Sequence, residues 1–272
     1  MPPKSLRVKS LLFIVATPIG NLDDISKRAL DALASSELIL CEDTRRSTIL
    51  LDRYGIKRPL LSYHKFKEKE SLEKILTDLR AGRVLSLISD AGTPCINDPG
   101  QILVQSCIKE GLAVSVIPGP CSVIQALVMS GFSTTQFQFI GFLPKNPKDA
   151  LRHAMGYPGT TIAFESPERL IHTLEEIDPE RNVAVVREMT KKFEECRSGK
   201  AADVLAHFQK HPPKGEIVLV IEGGKLFDDL SLEELVTLLQ EYHGLTLKEA
   251  IKQSAKFKDI PKRDVYNKFH KP

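Results

Sequence analysis

The chain has 272 residues, 42% of them apolar, and a formal net charge of +3. That length suits one large domain or two smaller ones with sizeable cores, and a charge so near neutral excludes a general polycation while leaving room for a local basic patch. Five cysteines, Cys41, Cys95, Cys107, Cys121 and Cys196, form no CxxC pair and no metal-like spacing with the histidines, so they read as reduced thiols of a cytoplasmic protein. No apolar run nears the length of a membrane span, and Leu11 to Ala16 is too short for a signal peptide, so a soluble chain is expected.

Leu11 to Ala16 is nearly all apolar, as a central parallel strand should be, and a sharp turn follows at Thr17 to Leu22. Asp23 or Asp24 is placed to cap a helix whose apolar positions Ile25, Ala29, Leu30 and Leu33 recur at helical spacing. Strands over Leu38 to Cys41 and Leu60 to Tyr63 come next, then a helix over Glu68 to Arg80. A buried strand over Leu85 to Ile88 leads into Ser89 to Gly100, a loop with one carboxylate at the strand end, two glycines and two prolines nearby. A helix marked by Ile102, Leu103, Cys107 and Ile108 stops at Gly111, and a strand over Ala113 to Ile117 ends in Pro118-Gly119-Pro120. This alternation is α/β patterning. None of the strand-end loops has GxGxxG or GxxxxGK[ST] spacing, which disfavours a dinucleotide-binding dehydrogenase or a nucleoside triphosphatase.

A helix over Ser122 to Met129 leads into a second half, and the division falls near residue 125. Phe137 and Phe139 alternate with polar residues, and further strands are expected over Thr160 to Phe164, Val183 to Glu188 and Glu216 to Ile221. Their close spacing, with a return near Lys191 to Cys196, predicts a mixed sheet over residues 126 to 225. Residues 144 to 149 form a polar, proline-bearing loop, a candidate flap. From 226 to 272 a small helical appendage is expected: an acidic helix near Leu232 to Tyr242, one with Leu247, Ala250, Ile251 and Ser254, and one after Pro261. Lys248, Lys252 and Lys256 fall four apart, and Thr246 to Pro272 holds eight Lys/Arg against three Asp/Glu. Such a stripe is either a solvated helix face or a grip on nucleic acid.

Seven segments taken together resemble one family: VATPIGNLDDIS at 15–26, CEDTRRS at 41–47, ISDAGTPCINDPG at 88–100, VIPGPCS at 116–122, FESPERL at 164–170, REMTKKFE at 187–194 and GEIVLVIEG at 215–223. It is the ribosomal RNA small-subunit methyltransferase I family, cytidine 2′-O-methyltransferases within the tetrapyrrole methylase superfamily. The resemblance implies two α/β domains, a parallel N-terminal and a mixed C-terminal sheet, with S-adenosylmethionine folded into the cleft between them, and a homodimer. It implies cofactor contacts from Thr17 and Pro18, from Ser89, Asp90, Ala91, Gly92 and Thr93, from Pro120, Cys121 and Ser122, and from Phe164. The substrate implied is small-subunit (16S) ribosomal RNA, free or in the assembled subunit, and nothing in the sequence indicates a metal.

The proton acceptor is not legible. Glu165 and Glu188 are candidates, with Glu165 favoured for its strand-end placement, against a reading in which each pairs with Arg169, Arg187 or Lys191. Glu42, Asp43, Arg45 and Arg46 read either as a salt-bridge cluster between domains or subunits or, through Arg45 and Arg46, as an RNA-backbone contact alongside Lys248, Lys252 and Lys256. His64 stays unassigned. Two other functions compete: methylation of a tetrapyrrole, whose polyacid acceptor calls for a wide basic cleft, and a non-catalytic RNA- or ribosome-binding module, which has no need of intact donor loops.

Overall fold

The computed structural model describes residues 11–65, 67–224, 230–241, 243–258 and 260–269. The start expected for the appendage at Leu226 lies outside these, as do Tyr242 and residues 270–272. The chain divides into two compact units, residues 1–125 with 189–192, and residues 126–188 with 193–272.

The first unit is built on five parallel strands, β1 (Leu11–Val15), β2 (Leu38–Cys41), β3 (Leu60–Ser62), β4 (Val84–Leu87) and β5 (Ala113–Ile117), in the order β3-β2-β4-β1-β5. Helices α1 (Lys27–Ser35), α2 (Thr44–Arg53), α3 (Glu68–Arg80) and α4 (Gln101–Lys109) make the crossovers. Two apolar clusters show which face each helix covers. Val15, Ile39 and Cys41 pack with Ala29, Ala32 and Leu33 of α1 and Leu51 of α2. Leu12, Ile14, Leu40, Leu85 and Leu87 pack with Ile75, Leu76 and Leu79 of α3 and Leu103 and Cys107 of α4. Adjacent positions along a strand feed opposite faces, so both faces are covered and the strands read as continuous apolar runs. Leaving β1 the chain moves toward β2, whereas leaving β4 it moves toward β5; with right-handed crossovers these opposite steps put α1 and α4 on opposite faces.

One expectation needs correction here. Asp23 and Asp24 cap no α-helix: they lie in a 3₁₀ turn, Leu22–Asp24, capped by Asn21, and α1 is capped by Ser26, whose Oγ accepts from Ala29 N at 3.1 Å. Serine's short hydroxyl reaches its own helix start, and the intervening turn uses up the aspartates. The helix marked by Ile102, Leu103, Cys107 and Ile108 is α4; its buried stripe runs through Leu103 and Cys107 and leaves Ile108 exposed.

In the second unit, α5 (Ser122–Ser130), which begins in the first, leads to the strands β6 (Phe137–Phe142), β7 (Thr160–Glu165), β8 (Asn182–Arg187), β9 (Glu195–Lys200) and β10 (Ile217–Ile221). Their order is β6-β7-β10-β8-β9; β6 and β7 are parallel and the other pairs antiparallel, which is the expected mixed sheet. Helices α6 (Lys148–Gly156), α7 (Pro167–Glu175) and α8 (Ala201–Lys210) bury Leu151, Leu170, Leu174, Val204 and Phe208 against Ala163, Val185 and Leu219. Lys148 and Asp149, expected in a loop, form the first turn of α6. Helices α9 (Leu232–Glu241), α10 (Leu247–Phe257) and α11 (Lys262–Phe269) share a core of Leu235, Val236, Leu239, Ala250, Ile251 and Val265. A capping box fixes the start of α10: Thr246 and Glu249 each hold the other's backbone N–H.

Candidate active site

Strands β4, β1 and β5 are neighbours and parallel, so the loops that follow them leave the same edge of the sheet side by side. The Thr17 N–H donates to Gly92 O at 2.8 Å and Gly92 N–H donates to Thr17 O at 3.1 Å, a two-residue antiparallel bridge between the first and second loops. The buried Thr17 hydroxyl points to Ser89 O at 3.3 Å, and the Ser89 hydroxyl to Ala91 O at 3.2 Å. Thr93 Oγ1 donates to Pro120 O at 3.0 Å and so ties the second loop to the third. Pro18 and Pro120 are buried, Ala91 is exposed at the loop tip, and Cys121 and Ser122 lead into α5 half-buried.

Two glycines let these loops meet. Gly92 has φ +78°, and a Cβ there would lie 3.2 Å from Ile19 Cγ2. At Gly119 a Cβ would lie 2.9 Å from Ala16 Cβ. The result is a rim of fixed backbone with little side-chain bulk, suited to a ligand recognised largely through hydrogen bonds to main chain.

The end of β2, next to β4, completes this rim. Asp43 caps α2 through Arg45 N at 2.9 Å and pairs with the Arg45 guanidinium at 2.7 Å. That guanidinium holds the Asp43 carboxyl down to about 2. Asp90 Oδ1 accepts from Asp43 N at 3.1 Å, and Asp90 Oδ2 pairs with Arg46 Nη1 at 3.2 Å. Each carboxylate oxygen has a second lone pair, and the Asp90 side chain is 28% exposed, so it is oriented yet able to accept another donor. The acidic and basic residues at 42–46 thus form a network inside the first unit, and Arg46 is the partner of Asp90. Arg45 remains 88% exposed, and among the described residues Asp43 alone pairs with it.

Behind this rim, burial pushes the Glu42 carboxyl up, helped next by the charge of Asp98, and burial pushes the Asp98 carboxyl up against the opposing Ser89 hydrogen bond. A carboxyl raised by burial stabilises the fold at acid pH, and that contribution is lost as pH rises through its folded-state value. Asp98→Asn removes one of the two charges. The Glu42 titration, followed by NMR, is expected to move down toward the ordinary carboxylate range; an unmoved titration would separate the two groups.

The second unit places the remaining candidates. Glu165, at the end of β7, is buried, with both oxygens engaged: Oε1 accepts from Ser166 N at 2.7 Å and pairs with Arg169 Nη2 at 2.7 Å, and Oε2 accepts from Thr173 Oγ1 at 2.5 Å. This geometry matches the ion-paired reading and positions the start of α7 rather than offering a free base. Phe164 packs edge-on against Phe139 and Phe142, at centroid distances of 4.9 and 5.2 Å. Glu188 has φ +49°, and its Oε1 accepts from Glu216 N at 3.0 Å beside Gly215, where a Cβ would collide with that carboxylate. Lys248, Lys252 and Lys256 are exposed on α10.

Sequence reasoning missed Glu68. It is buried at the start of α3, where Oε1 accepts from Gly100 N at 2.8 Å and from the Tyr63 hydroxyl at 3.2 Å, anchoring the far end of the Ser89–Gly100 loop. An acidic residue in a helix's first turn looks like ordinary dipole complementation, so its pattern carries no signal of this second task. Asp98 was missed likewise. Among the described residues no group of three His, Cys, Asp or Glu side chains is arranged to hold a metal ion, and no helix is long and apolar enough to cross a membrane.

Comparison with known proteins assigns this arrangement to a class. The model of the tetrapyrrole (corrin/porphyrin) methylases matches residues 11–205. Two solved structures share the fold: a cobalt precorrin-4 methyltransferase, with TM-score 0.60 at 18% identity over 80% of this chain and 97% of that one, and a diphthine synthase, with TM-score 0.63 at 12% identity over 93% and 98%. The chain is 41% identical to the ribosomal RNA small subunit methyltransferase I of Halalkalibacterium halodurans over 96% of its own length and 95% of that protein's. It is 45% identical to the Thermotoga maritima protein of the same name over 78% and 98%. Within the methylase class, the chain belongs to the ribosomal RNA small subunit methyltransferase I family.

Proposed function

We propose that this methyltransferase transfers a methyl group from S-adenosylmethionine to the ribose 2′-hydroxyl of a cytidine in small-subunit (16S) ribosomal RNA, on the free RNA or the assembled subunit. The observation that carries this reading is the likeness, over nearly the whole chain, to relatives named for ribosomal RNA methylation. The donor would supply an electrophilic sulfonium methyl group. The residues present fit such a ligand: Asp90 is oriented to accept from a ribose hydroxyl or an ammonium, and Gly92 and Gly119 keep side chains out of the cradle. One helical turn beyond Ser122, Gln125 Oε1 is buried with no hydrogen-bond partner among the described residues, a further acceptor on the α5 start. Cys121, Ser122 and Phe164 belong to the same proposed donor set.

Bringing the acceptor oxygen into line with the methyl group is worth roughly 7–11 kcal/mol, against roughly 3–5 kcal/mol for a general base. The larger contribution falls to fixed loops, which the described network supplies. With Glu165 enclosed by its own partners, its proposed role is to hold the Ser166-Pro167 turn, and water is sufficient as final proton acceptor. RNA would be held by phosphate contacts from Lys248, Lys252 and Lys256 and from Arg45 and Arg46. A homodimer is part of the proposal; Val116 on edge strand β5 and Ile124 on α5 leave apolar side chains exposed in the first unit.

The test is methyl transfer from labelled donor to small subunits lacking this modification, beside a tetrapyrrole acceptor. Label in the RNA alone is expected; label in the tetrapyrrole alone, or donor binding without transfer, sinks the proposal. Deleting the appendage from residue 244 would strip Ala250, Ile251 and Val265 from the core shared with α9, so its role is better read by point changes. Replacing Lys248, Lys252 and Lys256 together by alanine is expected to lower the slope of log affinity for RNA against log salt by about 2–3, with donor affinity unchanged. An unchanged slope would make the stripe a merely solvated face.

A further inference from the structure

The second unit carries a cavity of about 450 Å³ whose walls include none of the residues so far placed at the donor or the acceptor hydroxyl. It lies between the exposed side of β6, the helix α6 and the turn before α10, and its walls include Gln138, Phe142, His153, Tyr157 and His243. Building on the RNA-methylation reading, we propose that this groove is a stacking site for an unpaired nucleobase of the RNA substrate, distinct from the methylated nucleotide.

Three observations support this occupant. First, the aromatic rings are held in place before any ligand arrives. The bulge of β6 between Phe139 and Phe142, at Gly141 with φ +72°, brings Phe142 beside Phe164, yet Phe142 remains 57% exposed. Tyr157 folds back over Gly159, where a Cβ would lie 2.8 Å from its Cε1 and closer still to Gln136 O. A ring already fixed loses little freedom when a base stacks on it.

Second, the rim is cationic. Lys145 follows Pro144 of the wall and Arg152 precedes His153; both are exposed, and among the described residues no carboxylate belongs to the wall. Asp149 lies 3.8 Å from Arg152, and Lys148 reaches Glu176 at 3.5 Å, so part of that charge is balanced on α6.

Third, His243 lies three residues before Thr246, the cap of α10, so the groove adjoins the start of the helix that bears Lys248, Lys252 and Lys256. A single strand whose phosphates follow the lysines can place one base among the rings. Flat stacking surfaces beside cations are how proteins hold unpaired nucleotides, whereas a paired base has both faces covered.

The chain contains no tryptophan, so Phe142→Trp introduces a single reporter at an exposed position. Saturable quenching of its fluorescence by single-stranded fragments of the substrate RNA is expected, with none by the matching duplex. Phe142→Ala is expected to raise KM for RNA about tenfold while kcat and donor affinity hold within about twofold, and Phe142→Tyr to restore KM. An unquenched tryptophan, or a Phe142→Ala enzyme with unchanged KM for RNA, overturns the groove's assignment while leaving RNA methylation intact. So does a loss confined to assembled subunits with free RNA unaffected, which would make the groove a contact for ribosomal protein. Failure of the unaltered chain to methylate any RNA is a separate result and sinks the function reading itself.

Discussion

Valine in place of Gly92 is expected to lower the efficiency of methyl transfer about 100-fold without unfolding the protein. At φ +78° a side chain with a branched β-carbon sits in the left-handed region, at a cost of about 1–2 kcal/mol. Its Cβ also meets Ile19 Cγ2 at 3.2 Å, within the loop that carries Thr17. The strain is relieved most easily by parting the two loops, which breaks the Thr17–Gly92 bridge and turns Ser89 and Asp90 away from their positions. Because much of the rate comes from alignment, a displacement of about 1 Å is enough for a loss of order 100-fold. Steady-state kinetics with donor affinity measured separately checks this. A Gly92→Val enzyme within threefold of the original would mean that the loops are not the donor cradle.

The second large effect falls on stability. Glu165→Ala is expected to lower stability by about 3 kcal/mol, because removing one partner of a buried pair leaves Arg169, Ser166 N and Thr173 without their shared acceptor. For a domain of this size that is a fall of roughly 6–12 °C in Tm. Glu165→Gln keeps an acceptor of the same shape, and its turnover below the melting range is expected to stay within threefold. A normal Tm with turnover lost in Glu165→Gln would restore Glu165 as the proton acceptor, contrary to the placement described above.

The strands were legible because burial on both faces leaves runs such as LLFIV, LILC and IVLVI with almost no polar residue. The span of α3 was legible too, since Leu72, Ile75, Leu76 and Leu79 recur on one face of a 13-residue helix. Helices α2, α6, α7 and α8 were not singled out: each is 9 or 10 residues long and buries only three residues, too short a stripe to stand out from its neighbours.

Composition showed the turns at the ends of β1, β4 and β5, where Gly and Pro cluster, while the individual donor contacts came from the family resemblance. The link from Asp90 to Arg46 did not show, because it depends on β2 lying beside β4, and strand order leaves no local mark on the residues. The same holds for Glu68 and Gly100, brought together from 32 residues apart. The nucleobase groove depends on a bulge, which simple alternation of Phe137 and Phe139 cannot foretell.

The most direct measurement of the central claim is mass spectrometry of the nucleosides from small-subunit RNA after incubation with the protein and isotopically labelled S-adenosylmethionine. The account predicts the label in 2′-O-methylcytidine and in no other nucleoside. Label on a base, on another ribose or outside the RNA would contradict it.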